Sequence, residues 1–149
     1  MYNILILVAD QSRARLYGTE TVHATPVEIE GFSNVAGKRR EQDLVSDAPG
    51  RASSPAGAFP HVMGNENEAY LHALDQFAKN IVTELESILL SSPRTSLYLI
   101  AGPRFLGILR NKMPPSVDKH IAGELHKDLT NIPASELPGY IKIINSVHA

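Results

Sequence analysis

A chain of 149 residues, 43% hydrophobic and 20% charged, has the size and composition of one globular domain. Such a domain buries roughly 68–70% of the surface its unfolded form exposes, so neither a disordered nor a membrane class fits. Its 14 basic and 16 acidic residues give a net charge of -2, which excludes a globally basic nucleic-acid binder and leaves room for a local basic patch. The absence of cysteine removes disulfides, thiolate metal sites and cysteine nucleophiles together.

The opening MYNILILVAD has a short apolar run with no positively charged flank and no small-residue cleavage pattern. It reads as a buried central strand over residues 3–9, covered on both faces. No apolar stretch approaches the ~20 residues of a spanning helix, so a cytoplasmic protein without a membrane partner is expected. After the polar turn Asp10-Gln11-Ser12-Arg13, ARLYGT alternates, with Ala14 and Leu16 on one face and Arg15 and Tyr17 on the other. TPVEIEGF, residues 25–32, alternates again and predicts a third strand of the meander with Val27 and Ile29 inward.

The period then changes. Tyr70, Leu74, Phe77, Ile81, Leu85 and Ile88 recur every three or four residues, one stripe of a long amphipathic helix. Asn65 or Asn67 is the expected N-cap, with Glu66 and Glu68 complementing the helix dipole, and the helix should stop near Ser91 to Pro93. SLYLIAG, residues 96–102, predicts a second buried strand, and Pro103 opens the next helix at the one position that tolerates it. A further helical turn and a last strand around residues 124–129 follow. Leu137, Tyr140, Ile141 and Ile144 then mark a closing helix with Pro138 in its first turn. The order βββαβαβα predicts an α/β domain over residues 1–149 with one mixed sheet, the layout of ribonuclease H-like folds.

Motifs for chemistry are sparse. Gly102 and Gly107 have the interval of a phosphate-binding loop, but Ile108 and Leu109 stand where lysine and serine or threonine belong. What remains is a helix start near Arg104 whose free N–H groups suit an anion such as an RNA phosphate, or simply a solvated arginine. His120 and His126 are the nearest histidine pair and straddle an expected helix-to-strand junction, so no metal is expected. Asp10 ends the first strand where ribonuclease H-like nucleases place a metal-binding carboxylate, yet the next buried strand ends in Ala101-Gly102 without an acid. Two-metal chemistry needs a cluster of carboxylates. Asp10 is therefore read as a turn cap, no catalytic residue or cofactor is assigned, and a hydrolase using Asp10, Asp43, Asp47 or Asp128 is the distant alternative.

Residues 33–64 exceed the ~12–15 residues beyond which an irregular connection in a compact domain is functional or disordered. They carry Lys38, Arg39, Arg40 and Arg51, the acids Glu41, Asp43 and Asp47, and a Pro49-Gly50 turn before Arg51. A solvated loop of mixed charge is the plain reading and a presented binding segment the functional one.

VADQSRARLYG, DLVSDAPGR, LIAGPRFLGILR and HKDLTN, in this order and at these separations, resemble the bacterial host attachment protein family over nearly the whole chain. That family is similar to the middle domain of archaeal and eukaryotic peptide-chain release factors. In release factors the corresponding loop carries a Gly-Gly-Gln tripeptide that enters the ribosomal peptidyl-transferase centre and helps water cleave peptidyl-tRNA. Here the nearest match is Pro49-Gly50-Arg51, without the glutamine. An arginine at a loop tip suits a phosphate better than a neutral water. The resemblance implies a release-factor-like module that meets ribosome or tRNA through Asp47, Pro49, Gly50 and Arg51, with Arg39, Arg40 and Arg104 as further phosphate contacts. The alternative is an interaction protein with a protein partner that affects attachment indirectly.

Overall fold

The computed structural model describes the backbone of residues 2–37 and 60–148 and the side chains of residues 2–37 and 67–147. Five strands form one mixed sheet: β1 (Ile4–Ala9), β2 (Arg13–Thr19), β3 (Val27–Ser33), β4 (Ser96–Ala101) and β5 (Ile121–His126), in the order β3-β2-β1-β4-β5. The helices are α1 (Pro60–Leu90), α2 (Pro103–Lys112), the single turn α3 (Pro115–Asp118) and α4 (Leu137–His148), the last entered through a 3-10 turn at Ala134–Glu136. β1 is antiparallel to β2 and parallel to β4, and β4 is parallel to β5. β1 is the central strand of a sheet covered by helices on both faces, and every one of its residues is buried.

The pleat sorts the core into two. Leu5, Leu7, Ala14, Leu16, Leu97 and Leu99 face α1 and α2, meeting Leu74, Phe77, Ile81, Leu85, Phe105 and Leu109. Ile4, Ile6, Val8, Tyr17, Tyr98 and Ile100 face α4, meeting Leu137, Ile141 and Ile144. The helical stripe read from spacing is thus the buried one, and Phe77 and Ile81 are 5% and 0% exposed. Their helix is locked to α2 by the stacked rings of Phe77 and Phe105, 5.7 Å apart.

Three expectations need correction. Val27 and Ile29 do not point inward: they are 58% and 36% exposed. β3 is the outermost strand, and a bulge opposite Leu16 and Tyr17 breaks its alternation. The long helix is not capped at Asn65 or Asn67; it begins five residues before Asn65, at Pro60, a residue suited to a first helical turn. The strand predicted over 124–129 is Ile121–His126, because Leu129 fills the α4-side core from the turn after the strand rather than from within it. His120 and His126 do straddle the junction between α3 and β5, the first just before the strand and the second its last residue.

Candidate functional site

In an open α/β sheet ligands sit beyond the carboxyl ends of parallel strands, where neighbouring strands send their connections in opposite directions. β1 and β4 are such a pair: the chain leaves β1 toward β2 and leaves β4 toward β5. Ala9 lies opposite Ala101, so Asp10 and Gly102 begin the two turns side by side.

The β1 turn is held by its own carboxylate. Asp10 Oδ1 accepts the backbone N–H groups of Ser12 at 2.7 Å and Arg13 at 2.8 Å, and the Asp10 N–H donates to the Arg13 carbonyl at 2.8 Å. This is the turn-capping role expected of it. The other oxygen, Oδ2, lies 3.0 Å from the hydroxyl of Thr130, which is also 3.0 Å from Asp128 Oδ1. A threonine hydroxyl has one proton to donate, so two carboxylates share one donor. The residues after β5 are thereby tied across the sheet to the end of β1.

The same turn anchors the chain on either side of the long connection. The Asn34 N–H donates to the Ser12 carbonyl at 2.8 Å, and the buried Asn34 amide donates to the Gln11 carbonyl at 2.9 Å. Gly37 passes so close that a Cβ there would lie 2.2 Å from the Gln11 oxygen, an approach only glycine allows. From α1, the Tyr70 hydroxyl donates to Gln11 Oε1. Residue 37 and Tyr70, ten residues into α1, are therefore both held to one turn at the carboxyl edge.

Across the edge, α2 starts at Pro103, just after Gly102, with no side chain capping its first turn, and the exposed Arg104 stands in that turn. Gly107 lies inside α2, so the two glycines do not form a phosphate-binding loop. Arg104 lines an open cleft of about 590 Å3 with Asp75, Gly107, Arg110 and Asp118. Its neighbours are already committed: Lys112 to Asp75 at 2.5 Å, Arg110 to Asp118 at 3.1 Å and to Glu124. Arg104 engages no carboxylate among the described residues.

Of the residues singled out in the sequence, the structure places Arg104, Asp10 and Asp128 at this edge and joins the last two through Thr130. Arg39, Arg40, Asp43, Asp47, Pro49, Gly50 and Arg51 lie outside the described residues. Gln11, Asn34, Tyr70 and Thr130 were not legible as site residues, since their partners are 23, 59 and 120 positions away; only the Asp128-x-Thr130 spacing carried a local turn signal. His120 is at the other end of the sheet, buried, with Nδ1 2.8 Å from the Thr95 carbonyl. Among the described residues no three His, Asp or Glu side chains gather as metal ligands, and no helix is long and apolar enough to cross a membrane.

The sequence model of the family described as "Protein required for attachment to host cells" covers residues 5–141, which contain all of the sheet but Ile4 and every contact of the candidate site. No curated protein matches the chain.

Proposed function

The chain belongs to the family of proteins required for attachment to host cells, and from that premise we propose that it serves attachment as a noncatalytic, release-factor-like binding module of the cytoplasm. Its contact element is the segment between β3 and α1, and its ligand is an anionic RNA surface of ribosome or tRNA. The observation that supports this reading most is that the β1–β2 turn at the carboxyl edge holds both the entry to that segment, at Asn34 and Gly37, and the body of α1, at Tyr70, ten residues past its start. Loops carry function when a rigid scaffold positions them, and this scaffold is the buried strand β1. In this reading Arg51 is the principal cation of the segment, Arg39 and Arg40 are further phosphate contacts, and Asp47, Pro49 and Gly50, next to Arg51 in sequence, belong to the same binding element. Arg104 adds a cation from the neighbouring turn. Asp10 has its carboxylate engaged by the turn and by Thr130, which favours binding over hydrolysis.

The test is Arg51→Gln, followed by ribosome cosedimentation at low salt and by thermal unfolding. Reduced cosedimentation with an unchanged melting temperature is the expected result if Arg51 serves binding and not folding. Unchanged cosedimentation with a lowered melting temperature would instead make Arg51 a structural tie to Asp43 or Asp47. The protein would then stand as an interaction module with a protein partner.

A further inference from the structure

Among the described residues β5 closes one side of the sheet and pairs only with β4. Along its outer side runs a groove of about 510 Å3 lined by Arg110, Ile121, Gly123, Glu124, His126 and Val147. An edge strand presents unpaired N–H and C=O groups to any strand that reaches it. Beside the groove, α4 exposes Ile143 and Val147, four residues apart and so on one helical face. Open backbone groups thus adjoin an apolar stripe.

The sequence of β5 says what fits there. Glu124 and His126 lie opposite Leu99 and Ala101 of β4, on the α1 and α2 side of the sheet, whereas Leu125 lies opposite Ile100, on the α4 side. Two copies related by a two-fold axis perpendicular to the sheet keep every side chain on its own face, so only same-face residues can stand opposite one another. A register centred on Glu124 sets two carboxylates against each other. One centred on Leu125 sets leucine against leucine beside the Ile143 and Val147 stripes, and it sets Glu124 against His126 of the other copy twice. The other edge offers no such match: β3 carries Glu28 and Glu30 and has no basic residue between Val27 and Ser33.

We propose that the protein forms a two-fold dimer through antiparallel pairing of β5, centred on Leu125, with α4 of each copy packed on the other through Ile143 and Val147. The occupant of the groove is a second copy of this chain, and the two sheets become one of ten strands. The interface runs along the outer side of β5 and shares Arg110 with the Arg104 cleft, but Arg104 and Arg51 are not part of it, so their substitution tests RNA binding without touching the dimer contacts.

Sedimentation equilibrium on the full chain tests it. The wild type is expected to dimerise at concentrations up to about 1 mM, the weak end of specific association. His126→Glu places a carboxylate opposite Glu124, and Val147→Glu places a charge in the apolar stripe; each should weaken the dimer about ten-fold or more. Both residues are exposed, so melting temperatures of the dilute monomers should not move. Mixing the His126→Glu chain with a Glu124→Lys chain should restore pairing, because each Glu or Lys then meets an opposite or neutral partner. A wild type that stays monomeric over this range, or a dimer that survives both substitutions, overturns the proposal.

Discussion

Asp10 shows how one side chain can be mistaken for chemistry by position alone. It ends a central parallel strand, where a metal-binding acid would sit, but its Oδ1 takes two turn N–H groups and its Oδ2 faces Thr130. Removing the carboxylate leaves the Ser12 and Arg13 N–H groups without their acceptor, and each part-buried orphan costs about 1–3 kcal/mol. Asp10→Ala should therefore lower the free energy of unfolding by about 2–6 kcal/mol on that basis. Asp10→Asn retains an oxygen for the turn and turns its amide toward Thr130 Oγ1, which accepts as readily as it donates. Its cost should stay under about 1.5 kcal/mol, the worth of one ordinary hydrogen bond. Chemical denaturation of the two variants checks the order, and assays with magnesium or manganese should find no cleavage of RNA or DNA by either variant or the wild type. Metal-dependent cleavage abolished in Asp10→Asn would return Asp10 to the role of ligand.

At the scale of elements, the decisive contact joins the end of β3 to the β1–β2 turn. A methyl group at residue 37 would sit 2.2 Å from the Gln11 carbonyl oxygen, and the neighbour it meets is backbone, which cannot swing away. Gly37→Ala should displace the chain leaving β3, destabilise the protein by about 1–3 kcal/mol as overpacking does, and weaken the binding assigned to Arg51 although residue 51 is untouched. Hydrogen exchange at Asn34 reads the displacement directly, through its N–H bond to Ser12; unaltered protection there together with unaltered binding would remove the clamp from the account. None of this was legible in the sequence, and the reason is physical. Periodicity reports which face of an element is buried, so it found β1, the Tyr70 to Leu85 stripe and the Leu137, Ile141, Ile144 stripe. It carries no information on which turn a distant asparagine or tyrosine will reach. It also failed where burial was partial: β3 alternates like an inward-facing strand but lies at an edge, and the first turn of α1 has Pro60 to begin it and no apolar stripe to announce it.

For the whole molecule, charge decides how an RNA surface would be met. With 14 basic and 16 acidic residues the protein has no global attraction for phosphate, and the acids around Arg104 are largely neutralised within the fold by Lys112 and Arg110. Attraction must then come from a few cations at one edge. Each phosphate contact contributes about 0.7–0.9 to the slope of log affinity against log salt, so the number of contacts can be counted from the slope. Arg104→Gln should lower that slope by about one contact, and Arg51→Gln by about another. Because residue 104 is fixed on α2 and residue 51 belongs to a different segment, the two reductions should add in the double variant. Arg94, on the turn between α1 and β4, is exposed at the opposite end of the sheet and serves as the control: Arg94→Gln changes net charge as much as either substitution and should leave the slope unchanged. A slope that falls equally for all three would mean that net charge, not the carboxyl edge, governs association. A slope insensitive to Arg104 alone would confine the contact to the segment between β3 and α1.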